Sequence, residues 1–189
     1  RRPGIQPKVQ ADLRILSYLA GLIEAESPEA RPYQPRQIVA EFAKSVAREM
    51  DLALEARQQE RFAQNFTQDP TVLIPRIYWE WTSPVMNVQQ FVEGIPGNNF
   101  SEIEAAGLDR ATLAARGADA ILKMILVDGY FHADPHPGNV FYLPGNRIAM
   151  IDFGMAGRLS DLRRNQVVNL LEALARRDAE DMASVLLEW

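Results

Sequence analysis

The residues best suited to chemistry lie in segment 129–139, which reads GYFHADPHPGN, and in the tetrapeptide IDFG at 151–154. Asp134 is followed by Pro135 and Pro137, and Asn139 comes five positions after it. Asp152 comes thirteen residues after Asn139, at the end of an apolar run. Because proline fixes φ, a loop of this composition loses little entropy when it holds a side chain in one position. The pattern therefore predicts a rigid loop that presents Asp134 and Asn139.

The residues between Asn139 and Asp152 read VFYLPGNRIAMI, which predicts a tight β-hairpin with Pro144 and Gly145 at the centre of a type II turn. Since a hairpin brings its two ends together, we expect Asn139 and Asp152 to lie close in space. Amide and carboxylate oxygens are the hard ligands that Mg²⁺ prefers. Asp134 adds a carboxylate that can orient a hydroxyl group or accept its proton.

The order D-x-x-x-x-N, then about a dozen residues, then D-F-G is the catalytic-loop and metal-loop arrangement of protein kinases. Phosphoryl transfer needs this set of groups, because metal ions neutralise the spreading charge while one residue orients the nucleophile. Each piece is weak alone, whereas the three at this spacing are specific. The alternative is a zinc site at His132 and His136, but the sequence has no other histidine and no cysteine to complete four ligands. We interpret both histidines as structural.

Composition narrows the class of protein. The chain has 189 residues, a formal net charge of −5, no cysteine and 47% hydrophobic residues. This balance predicts a globular core, excludes disulfide and thiolate chemistry, and makes nucleic acid an unsuitable partner. No run of about 18 apolar residues predicts a membrane-spanning helix.

The coarse order of elements is α+β rather than alternating β and α. Helical spacing is followed by a proline-rich loop, a long helical pattern, β-rich sequence, a structure-breaking GIPGNN, and further helices around the hairpin. The predicted segments are a helix over 8–24, a loop over 27–35, a helix over 36–66, a hairpin over 72–94, a break over 94–99, a helix over 111–128 and helices near 161–176 and 178–188. After Asp152 a helix is predicted almost at once, without A-P-E or a long activation segment, which favours a small-molecule substrate or ATP hydrolysis over a peptide substrate.

Taken in order, RRPGI, REMDLALEA, FVEGIP, FHADPHPGN and IDFG resemble the UbiB-type family of atypical kinases, which is associated with the biosynthesis of ubiquinone and related isoprenoid quinones. The resemblance covers nearly the whole chain. Aminoglycoside and choline phosphotransferases share a similar H-x-D-x-H-x-x-N loop, but the Pro-Gly-Ile start and the E-x-D helix separate the two. The resemblance implies a protein-kinase-like α+β fold, with a partial N-lobe carrying extra helices and hinge strands at 1–94 and a helical C-lobe carrying the catalytic hairpin at 95–189.

The resemblance also implies roles for individual residues. They are Asp134 as the catalytic-loop aspartate, Asn139 and Asp152 as Mg²⁺ ligands, Glu55 as the partner of a nucleotide-binding lysine, Glu49 and Asp51 as the acidic E-x-D pair, and Phe91, Val92 and Glu93 as the hinge that meets adenine through backbone groups. On a regular helix Asp51 and Glu55 share a face, whereas Glu49 lies about 200° around from Asp51. For Glu49 and Asp51 the alternative is a solvated acidic face, and for Glu93 it is an exposed turn residue.

The implied cofactors are ATP or ADP and Mg²⁺. The implied partners are the nucleotide, an isoprenoid or quinone lipid, quinone-biosynthesis proteins and a peripheral membrane contact. The implied place is cytoplasmic, at the inner membrane surface of a bacterium, or the equivalent in an organelle. The nucleotide lysine, a small-residue loop over the phosphates and a K-x-G-Q segment should precede Arg1, so we expect this sequence to be an excerpt that is inactive alone. The other functional hypotheses are a pseudokinase-like, nucleotide-gated regulatory protein and a small-molecule phosphotransferase of the aminoglycoside or choline kinase type.

Overall fold

The computed structural model describes residues 1–188 and separates into two compact units, each built from two stretches of chain. The first unit comprises Arg1–Arg57 and Ile77–Gln89, and the second comprises Gln58–Arg76 and the chain from Gln90 onward. Each unit therefore combines two segments that are separated in the sequence by a segment of the other unit. The predicted division into kinase lobes after residue 94 stays a prediction.

The fold combines helices with small sheets, as the sequence predicts. The α-helices are α1 (Ile5–Glu26), α2 (Pro35–Glu49), α3 (Leu52–Asn65), α4 (Phe100–Ala105), α5 (Arg110–Leu122), α6 (Asp161–Arg176) and α7 (Ala179–Leu187). The strands are β1 (Val72–Leu73), β2 (Ile95–Pro96), β3 (Tyr130–His132), β4 (Val140–Leu143), β5 (Arg147–Met150) and β6 (Ala156–Arg158).

The helical pattern over 36–66 does not form one helix. It ends at Glu49 as α2 and starts again at Leu52 as α3. The Asp51 carboxylate accepts hydrogen bonds from the backbone N–H groups of Ala53 (3.0 Å) and Leu54 (3.2 Å), so Asp51 is the N-cap of α3. The prediction of a single helix was wrong because an aspartate in a helical pattern fits either an exposed helix face or a cap.

The predicted hairpin over 72–94 does not form a continuous two-stranded ladder. Its two arms pair as strands at two isolated bridges, Ile77 with Gln89 and Ser83 with Met86. Its first two residues, β1, pair instead with β5 in parallel. Pro75 follows shortly after β1, and proline has no N–H to continue a ladder, which helps to keep this strand short.

The second unit contains a four-stranded sheet in the order β1-β5-β4-β2 and a separate two-stranded ladder of β3 with β6. The hairpin of β4 and β5 forms as predicted, with Leu143 opposite Arg147 and a three-residue loop whose Asn146 has a φ of 57°. The helix predicted over 111–128 is α5 continued by a π-helical turn over Lys123–Asp128, and it ends at Gly129 with a φ of 57°. A glycine is favoured there because left-handed backbone costs it little.

Helix α5, the hairpin and the end of α3 enclose the core of the second unit. Its fully buried side chains include Phe62, Met124, Ile148 and Phe153. The stacked rings of Phe62 and Tyr130 have centroids 4.7 Å apart, and those of Phe62 and Phe153 lie 4.8 Å apart. This aromatic cluster supports β3 and the residues after β5, which are the two segments that carry the candidate site.

Candidate active site

The β4–β5 hairpin determines where Asn139 and Asp152 stand. Val140 pairs with Met150, and one residue further out the Ile151 N–H donates to the Asn139 carbonyl at 2.9 Å. Asn139 therefore lies opposite Ile151, and Asp152 is the next residue along the chain. The structure brings these two predicted metal ligands to the same end of one hairpin.

The Asp134 loop is tied to Asn139 through main-chain and side-chain hydrogen bonds. The Asn139 Nδ2 donates to the Asp134 carbonyl at 3.3 Å, and the His136 N–H donates to the same carbonyl at 2.8 Å. The amide nitrogen of Asn139 is thus engaged with the loop, and the Oδ1 is the atom that remains to bind a cation. The Asp134 residue is exposed to solvent.

His132 links the Asp134 loop to the strand that leads to Asp152. The ring is 4% exposed, and its Nδ1 accepts the Asp134 N–H at 3.1 Å. Its Nε2 must then carry the proton, which it donates to the Ile151 carbonyl at 3.4 Å. His132 is therefore a buried structural residue, as predicted. His136 is exposed, and its Nδ1 accepts the Gly138 N–H at 3.0 Å.

Asp152 has a left-handed backbone conformation, with a φ of 60°. Its Oδ1 accepts the Gly154 N–H at 3.3 Å, a local bond of the kind that lets aspartate tolerate this conformation. The next residue, Phe153, is fully buried in the aromatic cluster, while the Asp152 side chain is exposed. The buried ring anchors the turn that presents the carboxylate to solvent. Left-handed backbone in a non-glycine residue is often found at functional sites.

Gly97, which the sequence did not single out, holds the loop against β2. Its N–H donates to the Val140 carbonyl at 2.8 Å. A Cβ at this position would lie 2.8 Å from the Pro137 carbonyl oxygen, which is too close for a real contact. Only glycine lets the two backbones approach in this way. The Ile-Pro-Gly sequence at 95–97 is the signal that could have revealed this approach.

The three acidic residues assigned by resemblance lie in the first unit. Glu49 is exposed at the end of α2, Asp51 caps α3, and Glu55 is half-buried in the first turn of α3. Because Asp51 is a cap and Glu49 ends the preceding helix, the angle of about 200° between them on a regular helix does not apply. The hydrogen bonds of Asp51 give it a structural role within this unit.

The predicted hinge residues lie in the second unit. Phe91 is 82% exposed, Val92 is half-buried and Glu93 is exposed. Glu93 borders an open cavity of about 530 Å³, whose other walls are Gly94, Ile95, the 106–108 turn, Tyr142 and the hairpin loop 144–146. Of the side chains lining this cavity, Glu93 is the one that carries a charge.

The donor atoms fit Mg²⁺ better than zinc. Within residues 1–188, no group of three or more His, Cys, Asp and Glu side chains is arranged to hold a metal ion. Asn139 and Asp152 offer one amide oxygen and one carboxylate, both exposed or half-exposed. Magnesium keeps several waters and completes its shell with substrate phosphates, so two protein ligands are sufficient for it.

No helix in the described part of the chain is both long enough and apolar enough to cross a membrane. The long helix α1 does not meet this condition despite its 22 residues.

Comparisons with known proteins identify the family and the fold. The model of the ABC1 atypical kinase-like domain matches residues 1–186. Proteins named "Probable protein kinase UbiB" from Pseudomonas aeruginosa (strain LESB58) and Pseudomonas paraeruginosa (strain DSM 24068 / PA7) are each 30% identical over 191 aligned residues, covering 99% of this chain. The chain spans 36% of the length of these relatives.

Among solved structures, the chain is similar in fold to the Rv3197 protein of Mycobacterium tuberculosis, whose structure was determined as a complex with erythromycin. The TM-score is 0.72 at 23% identity, over 98% of this chain and 46% of that one. The α+β, kinase-like fold class and the UbiB-type resemblance are both confirmed. The chain belongs to the ABC1 atypical kinase-like family.

Proposed function

We propose that this chain is the nucleotide-handling part of a Mg²⁺-dependent, ATP-binding atypical kinase or ATPase that supports the biosynthesis of ubiquinone or a related isoprenoid quinone. Membership of the family supports kinase-like or ATPase chemistry. The observation that supports a magnesium–nucleotide site is that Asn139 and Asp152 lie at one end of the β4–β5 hairpin, with the Asp134 loop hydrogen-bonded to Asn139.

In this proposal Asn139 and Asp152 hold Mg²⁺ against the phosphates of ATP. The bound ion would supply charge neutralisation for the transferring phosphoryl group. The hydrogen bond from Asn139 Nδ2 to the Asp134 carbonyl fixes the amide so that its Oδ1 is the ligand atom. The turn anchored by Phe153 holds the Asp152 carboxylate in place without burying it.

Asp134 is proposed to orient the nucleophile, which is either water or a hydroxyl group of a small molecule, and to accept its proton. Its carboxylate is exposed while its backbone is held on both sides, by the His132 ring at its N–H and by Asn139 at its carbonyl. Holding the main chain in this way fixes the point from which the side chain projects, which helps to position the carboxylate beside a nucleophile. The segment between the Asp152 turn and α6 is short and contains only β6. It offers little surface for a peptide substrate, which supports a small molecule as the phosphoryl acceptor.

The remaining assignments rest on the resemblance. Phe91, Val92 and Glu93 are proposed as the adenine-binding hinge, Glu55 as the partner of the nucleotide lysine, and Glu49 with Asp51 as the acidic pair of the family. The partners are proposed to be an isoprenoid or quinone lipid and quinone-biosynthesis proteins. The place is proposed to be the cytoplasmic face of a bacterial inner membrane, or its organelle equivalent, through peripheral contact.

The test is turnover of ATP by the full-length protein, compared with Asp134→Ala and Asp134→Asn. We expect both variants to lose at least about 100-fold of the phosphoryl-transfer rate, the size typical for removal of a catalytic acid or base. We also expect them to retain Mg²⁺-dependent binding of ATP, because Asp134 is not a metal ligand in this proposal. Equal turnover by Asp134→Ala would contradict the assigned role.

A second candidate is a pseudokinase-like regulatory protein that binds ATP or ADP as a switch. The half-buried Asn139 and the exposed Asp152 favour it equally, since an intact metal site binds nucleotide whether or not turnover follows. Binding without turnover in the wild-type full-length protein would support this function. Mass spectrometry of the products distinguishes hydrolysis from transfer to a small molecule, which is the third candidate.

A further inference from the structure

The strongest feature outside the candidate site is the outer face of α1. Six large apolar side chains on this helix are between 41% and 68% exposed: Ile15, Leu16, Tyr18, Leu19, Leu22 and Ile23. With 100° of rotation per residue, they occupy one continuous arc of about 160°. An apolar helix face of this width is normally buried against a partner.

The opposite face of α1 is already covered within the chain. Ala20 and Gly21 are buried there, and the Glu24 carboxylate accepts the Arg36 backbone N–H at the start of α2 at 3.2 Å. The helix thus has apolar residues on both sides, and α2 packs against only one of them. The outer arc, which we call the α1 outer face, has no partner among residues 1–188.

Two opposite charges stand at the two ends of the α1 outer face. Lys8 and Glu26 are eighteen residues apart, which is five full turns of an α-helix, so both lie on one line along the helix. Ile15 and Leu19 flank the midpoint of that line. Both charged residues are exposed, and within the described part of the chain neither forms an ion pair.

We propose that the α1 outer face binds the same face of a second copy of this chain in an antiparallel, two-fold arrangement. Placing the two-fold axis between Ile15 and Leu19 sets Ile15 against Leu19 of the second copy. The same axis sets Lys8 against Glu26 of the second copy at one end, and the reciprocal pair at the other. A closed two-fold contact requires such self-complementarity.

The charges favour a second copy over a lipid surface. Helices that lie in a membrane interface have polar faces rich in Lys and Arg. Helix α1 carries two basic residues, Lys8 and Arg14, against three acidic ones, Asp12, Glu24 and Glu26, and the chain has a net charge of −5. Anionic lipids would repel this balance, whereas an antiparallel copy pairs its basic end with an acidic one. At about 33 Å, α1 is also long enough for an extended helix pair.

The test is analytical ultracentrifugation of the full-length protein over concentrations up to about 100 µM, where an interface of modest affinity is populated. We expect a species with twice the mass of one full-length molecule. Lys8→Glu should raise the dimer dissociation constant about tenfold, because it replaces two attractive pairs with two repulsive ones. The double variant Lys8→Glu with Glu26→Lys should return the constant to within about threefold of the wild type, because the pairs are restored with reversed sign.

Arg14→Glu is the matched control, because it makes the same change of charge on the same helix about 120° away from the Lys8–Glu26 line. It should alter the dimer constant far less than Lys8→Glu. Leu19→Glu should leave only monomer, with helix content by circular dichroism unchanged. A wild-type chain that is monomeric at every concentration would overturn the proposal, whether or not it binds vesicles of anionic lipid. A dimer that responds equally to Arg14→Glu and Lys8→Glu, or is not restored by the double variant, would overturn it too.

The proposal is independent of the proposed function, since α1 lies in the first unit and carries none of the residues assigned to metal binding or nucleophile orientation. Nucleotide binding and dimer formation can therefore fail separately. A monomeric protein that still binds ATP would contradict the dimer proposal and leave the proposed function unaffected.

Discussion

Replacing His132 with phenylalanine tests how the Asp134 loop is held. Phenylalanine keeps a ring between Phe62 and Phe153, whose centroids lie 6.3 Å and 5.2 Å from that of His132. It removes the acceptor for the Asp134 N–H and the donor for the Ile151 carbonyl. At about 0.5–1.5 kcal/mol for each neutral hydrogen bond, we expect the free energy of unfolding to fall by about 1–3 kcal/mol.

For a chain of this size, a loss of 1 kcal/mol lowers Tm by about 2–4 °C, so differential scanning calorimetry should show a decrease of about 4–8 °C for a loss of about 2 kcal/mol. The transition affected should be that of the second unit, in which His132 lies. The same variant should weaken Mg²⁺-dependent ATP binding about tenfold, because the Asp134 loop positions the Asn139 amide.

His136→Phe is the matched control, since His136 is exposed and its ring accepts a local N–H from Gly138. We expect its Tm to change by less than about 2 °C. Equal destabilisation by His132→Phe and His136→Phe would refute the account of the loop. So would an unchanged ATP affinity in a His132→Phe protein whose Tm has fallen as expected.

Three further predictions follow from single contacts. Gly97→Ala should displace the Asp134 loop, because its Cβ would lie 2.8 Å from the Pro137 carbonyl oxygen. Titration calorimetry should show weaker ATP binding, and scanning calorimetry should show that the protein remains folded. Asp51→Ala should lower the free energy of unfolding by about 1 kcal/mol through loss of the α3 cap, whereas Asp51→Ser should recover most of it in urea denaturation. Asp109 caps α5, and its hydrogen bond from the Thr112 hydroxyl, with those from backbone N–H groups, holds its pKa below the ordinary value. Because the folded-state pKa is the lower one, the stability that Asp109 contributes is present above its unfolded-state pKa and is lost as the pH falls through the folded-state pKa. The Tm difference between wild type and Asp109→Asn should therefore shrink toward low pH, and a difference that grows there would contradict this sign.

The sequence predicts the metal-site hairpin well because its signals are local. Pro144 and Gly145 mark the turn, short apolar runs mark the two strands, and the polar residues stand at the two ends. Every interaction needed to form the hairpin lies within a dozen residues. Pattern and turn chemistry were therefore sufficient for the hairpin, whereas the family was inferred from its motifs together with the Pro-Gly-Ile start and the E-x-D helix.

The features that the sequence did not reveal depend on contacts between distant residues. The break before α3 is stabilised where the Leu52 N–H donates to the Pro84 carbonyl at 3.2 Å, a contact that no helical period can show. Strands β3 and β6 have three residues each and pair across more than twenty positions, which is too short for a strand pattern. Gly97 likewise acquires its importance only when β2 approaches the Pro137 carbonyl.

The most direct test of the central claim is calorimetric titration of ATP into the full-length protein, in Mg²⁺ and in EDTA, for the wild type and for Asp152→Asn. The account predicts binding that requires Mg²⁺ and that weakens at least about tenfold in the variant, because the amide has the shape of the carboxylate but not the charge that holds a hard cation. Thermal unfolding of Asp152→Asn would show that the variant is folded. Absence of ATP binding in the wild type, or binding of equal strength in EDTA, would contradict the magnesium–nucleotide site. Unchanged affinity in Asp152→Asn would contradict the assignment of Asp152 as its ligand.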